Sequence, residues 1–168
     1  MPSPRLLAAA ALIGTLGMTL GVVVSAQRGS SPSIVGVWRI SEVTITGPNA
    51  RKITSPQPGL RIFTQRHYSL SEVTADKPRP ELPPQGKATD KQIADAFGPF
   101  TGQAGTYEIK GNEITTRPIA AKNPNAMQAG SFTTSTFTLD GSTLTMTTKA
   151  NAAGPIANPT TVRLTRIE

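Results

Sequence analysis

The chain has no cysteine, one histidine and one tryptophan in 168 residues. Without cysteine there is no disulfide, no thiolate nucleophile, no zinc ribbon and no iron–sulfur cluster. A single histidine excludes a multi-histidine metal centre and leaves room for one His-based dyad at most, so no metal and no cofactor are expected. Acidic residues are also few, 10 Asp and Glu against 17 Lys and Arg, for a net charge of +7. That imbalance invites a nucleic-acid reading. The cations are scattered singly, however, with Arg51-Lys52 the longest pair and no aromatic-rich RNA-binding motif present. The expectation is therefore no nucleic acid, and a field that favours anionic ligands or an anionic surface. A hydrophobic fraction of 37% with 16% charged residues is foldable and far from charge-rich disorder. The length suits one domain.

Residues 1–26 have the three parts of a secretory signal: Arg5, an uncharged apolar run from Leu6 to Val24, and small residues at Val24-Ser25-Ala26 just before Gln27. Export to the periplasm or medium is expected, with an uncleaved membrane anchor as the rival because the run approaches the ~20 residues that span a bilayer. The mass of the mature N-terminus distinguishes the two. Cleavage after Ala26 removes Arg5 alone among the charges, leaving 16 − 10 = +6. Residues 27–33 read as a short polar tether and 34–168 as the folded domain.

In that domain turn signals alternate with short β-type runs, the rhythm of a sandwich or barrel. Eight strands are predicted: 34–46, 59–65, 68–74, 105–110, 113–119, 130–139, 143–149 and 160–167. Gly111-Asn112 and Asp140-Gly141 are hairpin turns, and Arg66-His67 joins the second and third strands. Eight threonines lie between Ser131 and Thr148, where β-branched residues favour a pleated surface. One helix is predicted over 90–97, capped by Thr89 or Asp90 and stopped at Gly98-Pro99. Three loops, at Lys77–Pro84, Lys122–Ala129 and Asn151–Pro159, are placed to rim a mouth. Sequential antiparallel strands close best as an up-and-down barrel, which removes the sheet edges and is wide enough for side chains or one small ligand.

Gly36-Val37-Trp38 opens the first strand with the G-x-W pattern of lipocalins. Gly59-Leu60-Arg61-Ile62-Phe63-Thr64 followed by His67-Tyr68-Ser69, then Gly105-Thr106-Tyr107-Glu108-Ile109, then Phe137–Thr145, then Leu164-Thr165-Arg166 continue in the same order as bacterial lipocalin-like domains. Residues 34–168 thus resemble that family, and the resemblance implies a barrel of the calycin type. It also implies structural roles for Gly36, Trp38 and Arg166: the tryptophan plugs the closed end and the arginine packs on it. His67 and a long Pro-rich segment before the helix depart from the family pattern.

Four residues are candidates for ligand contact. If Trp38 points inward, a period of two carries Ile40, Glu42 and Thr44 inward as well, although Val43 and Ile45 have the opposite parity and a bulge would flip the strand end. Glu42 would then need a buried partner. Arg61, flanked by Leu60 and Ile62, reads as a surface residue or as an anion hook inside the cavity. Tyr68 and Tyr107 are the only tyrosines, and each offers an apolar ring with a hydroxyl handle. His67, at a turn, is read as a solvated residue and not as a general base. The leading expectation is a protein that binds a small, partly apolar molecule of hydrophobic or anionic character. A cavity-based isomerase or cyclase, using Glu42 with a tyrosine, and a solid structural barrel of the envelope are its rivals.

Overall fold

A computed structural model describes residues 33–168. The expected signal segment 1–26, and the tether apart from Ser33, lie outside the described residues. Eight long strands form the wall: β1 (Gly36–Ile45), β3 (Gly59–Phe63), β4 (His67–Val73), β5 (Phe100–Lys110), β6 (Glu113–Ala121), β7 (Thr133–Asp140), β8 (Thr143–Asn151) and β10 (Thr160–Arg166). Each pairs antiparallel with the next, and β10 pairs with both β8 and β1, which closes the barrel. Two short strands that the sequence did not reveal, β2 (Arg51–Ile53) and β9 (Gly154–Pro155), extend β1 and β8 at one end. Strand β5 begins five residues earlier than expected.

The tight hairpins and the C-terminus gather at one end of the barrel. The longer connections and the helix α1 (Asp90–Phe97) gather at the other. Thr89 caps α1 with a reciprocal pair of contacts: its hydroxyl accepts from the Gln92 N–H, and the Gln92 side chain accepts from the Thr89 N–H. The helix has no basic residue in its last turn. Lys122, at the end of β6, takes that place, its ammonium donating to the carbonyls of Phe97, Gly98 and Phe100 and so pinning the helix C-terminus to the rim.

The closed end is a dense core. Trp38, Ile114, Leu144 and Leu164 are fully buried, with Phe63, Tyr68, Met146, Val162 and Ile34 around them. Leu164 faces Leu144 across the β10–β8 pair and Val162 faces Met146. Burying side chains of this kind contributes roughly 1.5–3 kcal/mol each. The opposite faces of β6, β7, β8 and β10 carry threonines, and hydroxyl pairs join β8 to β10 at Thr147–Thr161 (2.8 Å) and β6 to β7 at Thr115–Thr134 (3.1 Å).

Three bulges bend the wall, each by one extra residue: Ser41 in β1, Ile119 in β6 and Lys149 in β8. The second sits beside Pro118, which has no N–H to give the ladder. Gly105, its partner on β5, packs so closely on the Arg117 carbonyl that any Cβ would overlap it.

Candidate functional site

The open half of the barrel holds a cavity of about 290 Å³. Ile40, Val43 and Ile45 from β1, Ile53 from β2, and Val162 from β10 give it apolar walls. Arg61 and Glu72, from the adjacent strands β3 and β4, supply its buried charge. Their pairing is one-sided. Arg61 Nε donates to Glu72 Oε1 at 2.5 Å, and Arg61 Nη1 reaches the Met146 sulfur at 3.4 Å. Arg61 Nη2 and Glu72 Oε2 have no hydrogen-bond partner among the described residues. The side chains keep 15% and 13% of their accessible surface, and both line the cavity. At the rim Arg51 is held by Asp76 at 3.3 Å, an exposed pair.

The inward direction of Arg61 follows from its strand. Phe63 is 3% exposed and anchors β3 in the core, so Gly59, Arg61 and Phe63 face in while Leu60 and Ile62, each 41% exposed, face out. Gly59 is there because a Cβ would strike the Ile40 side chain across the wall. The surface reading of Arg61 is therefore corrected.

Glu42 faces away from the cavity. The Ser41 bulge, with its hydroxyl bonded to the Arg163 carbonyl at 3.0 Å, reverses the parity of β1. Val43 and Ile45 turn inward, and Glu42 pairs with Lys52 at 3.0 Å on the outer side. Glu42 and a tyrosine are thus not brought together. Tyr107 lies at the closed end: its hydroxyl donates to the Thr64 carbonyl at 2.6 Å and its ring meets Phe63 edge-on at 5.5 Å. His67 is exposed and begins β4, its N–H and carbonyl closing the turn on Thr64.

Trp38, Arg166 and Gly36 form a plug at the closed end. The Arg166 guanidinium stacks 4.1 Å from the indole centre and donates to the carbonyls of Val35 (2.6 Å) and Ser33 (2.5 Å). The indole N–H donates to the Ile34 carbonyl at 2.7 Å. Gly36, at φ +143°, leaves the space that Arg166 and the terminal carbonyl occupy.

Tyr68 stands in the core, 3% exposed, and its hydroxyl is sealed from solvent with no partner of good hydrogen-bond geometry. Burial pushes its ionisation above the ordinary value of 10.0, an effect the neighbouring Thr116 side chain offsets only in part. Two results are expected of Tyr68→Phe. Stability at neutral pH holds or rises by about 1 kcal/mol, because an orphan buried hydroxyl costs about 1–3 kcal/mol. Above pH 10 the unfolded tyrosine ionises before the folded one, so stability falls with rising pH, and the variant loses part of that fall. Denaturant unfolding at neutral and alkaline pH reads both; a loss above 1 kcal/mol at neutral pH would mean the hydroxyl has a partner.

Glu72, Ile53 and Thr148 are among the lining residues that were not singled out from the sequence. Glu72 had a signal: counting by two from Tyr68 gives Leu70 and Glu72 on one face, which puts a carboxylate inside a barrel. A larger crevice, about 470 Å³, lies outside the barrel between the Pro-rich segment and α1, lined by Pro78, Pro80, Leu82 and Phe97. It is open to solvent. Its one cation, Arg79, is engaged on the Phe100 ring (5.1 Å) and the Ala96 carbonyl (3.3 Å), so the less open inner cavity is the better candidate.

The sequence model of the lipocalin-like domain family matches residues 35–165, which takes in every strand of the barrel wall except the last residue of β10, Arg166. No curated protein matches the chain.

Proposed function

We propose, for a chain that belongs to the lipocalin-like domain family, that it binds one small, partly apolar molecule in the open half of its barrel. The observation that carries this is the half-filled lumen: a packed core below, and above it a cavity of about 290 Å³ with mostly apolar walls, the Arg61–Glu72 pair inside, Arg51 at its rim, and Gln57, Thr74, Thr148 and Thr160 as its neutral polar lining. That volume equals about ten water molecules at liquid density. It lies at the lower edge of ligand-pocket sizes, roughly 300 Å³. The fitting ligand is therefore a short-chain or single-ring molecule with one polar group.

Hexanol is a suitable first probe. An NMR titration is expected to give saturable shifts confined to the methyl groups of Ile40, Val43, Ile45, Ile53 and Val162. Val43→Phe, which fills the cavity, is expected to abolish them while the barrel stays folded. Non-saturable shifts, or shifts on the outer wall that survive Val43→Phe, would sink the reading. The same reading takes the protein to be exported, with support from residues 1–26 alone.

A further inference from the structure

We infer that the polar group of this ligand is uncharged and carries a donor beside an acceptor, as in a carboxamide or lactam, and that Glu72 keeps free carboxylates out. The inference rests on the cavity-binding reading above and concerns the chemistry of its polar end.

The cavity contains the guanidinium of Arg61, which by itself would select an anion. Its charge is already answered. Glu72 Oε1 sits 2.5 Å from Nε, and both side chains are largely withdrawn from solvent in the same cavity. A ligand carboxylate approaching Arg61 would bring a second negative charge beside Glu72 in a site where water screens poorly, and like charges in such a site repel strongly. An ammonium ligand meets the mirror problem at Arg61. The other charged lining residue, Arg51, stands at the rim and is engaged by Asp76 at 3.3 Å, so it does not tip the balance inside.

The pair also has unused bonding capacity. Because it is made through Nε and one oxygen, Nη2 remains as a donor and Oε2 as an acceptor. Arg61 and Glu72 come from neighbouring antiparallel strands and point into the same space. A primary amide or lactam offers the complement: its carbonyl accepts from Nη2 and its N–H donates to Oε2. An alcohol satisfies one of the two at a time. A molecule without a polar end leaves both groups as they are and gains only from the aliphatic walls. Specificity here comes as much from the charge that repels the wrong ligand as from the bonds made to the right one.

Three ligands of one chain length separate these cases: hexanamide, hexanoate and hexylammonium, titrated at neutral pH against the protein and its Glu72→Gln variant, with the cavity methyl resonances as readout. The protein is expected to bind hexanamide at least tenfold more tightly than either ion. In Glu72→Gln the repelling charge is gone and Arg61 is free to take an anion, so hexanoate is expected to gain tenfold or more and to overtake the amide. Hexanoate binding the unaltered protein as tightly as hexanamide would overturn the inference and leave the cavity reading standing. Failure of all three, and of hexanol, to give saturable shifts would overturn both. If Glu72→Gln does not fold, the order of the three ligands on the unaltered protein decides alone.

Discussion

Trp38→Ala is expected to destabilise the protein by about 3–5 kcal/mol, the range for removing a buried aromatic side chain from a core. Trp38 has no solvent exposure and belongs to the main core cluster with Phe63, Tyr68, Ile114, Leu144 and Leu164. The loss has three parts. The apolar area and the cavity left behind are the largest. The indole N–H that satisfies the Ile34 carbonyl is the second, at about 1 kcal/mol. The stacking of Arg166 at 4.1 Å is the third, at about 0.5–2 kcal/mol. Arg166 separates the last from the rest. Arg166→Met keeps an aliphatic cover on the ring but drops the charge and the bonds to Val35 and Ser33, and about 1–2 kcal/mol is expected to go with them. This corner ends the seam where the last strand meets the first, because Arg166 on β10 lies opposite Trp38 on β1. Chemical denaturation followed by far-UV circular dichroism reads the change. A Trp38→Ala variant within about 1 kcal/mol of the parent would show that the plug contributes shape and not stability.

The strands and the helix were legible because local chemistry and tertiary fold agree there. Asp140-Gly141 makes the β7–β8 hairpin that its residue types demand, and Gly141 adopts the positive φ such a turn requires. Thr89 caps α1, the one α-helix among the described residues. Where pairing and not propensity decides, the sequence is silent. Strand β5 starts at Phe100 through a stretch with glycine at 102 and 105, and what makes it a strand is its register against β4, Glu72 to Thr101 and Leu70 to Gln103. The site was harder to read than the fold for one reason: inward and outward positions are assigned by parity, and parity fails at a single bulge. Ser41 is such a residue, and nothing in Ile40-Ser41-Glu42 announces it; the opposite parity of Val43 and Ile45 is the only trace. Arg61 misleads in another way. It lies between two aliphatic neighbours that a surface-or-core rule sends inward, whereas Phe63 decides the face and turns the arginine in.

The buried pair itself gives the second large expected effect. Arg61→Leu leaves Glu72 in the cavity without its cation, and roughly 2–3 kcal/mol of stability is expected to be lost. Stranding a fully buried charge costs about 3–5 kcal/mol, and the lower figure allows for the 13% of the Glu72 side chain that remains accessible. Arg61→Leu with Glu72→Leu removes both charges, retains comparable volume and extends the aliphatic wall. Replacing a buried ion pair by packed apolar residues is commonly neutral or stabilising, so the double variant is expected within about 1 kcal/mol of the parent or above it. The difference between the single and double variants is the coupling of the two side chains. A single variant that loses under 0.5 kcal/mol would mean the pair behaves as a surface bridge, and a double variant as unstable as the single would mean the pair is structural. A pair that a barrel can exchange for two leucines without loss of stability contributes little to the fold. It remains the one buried charge pair of a mostly apolar cavity, and the double variant is then the protein in which the barrel is intact while the discrimination between amide, carboxylate and ammonium is gone.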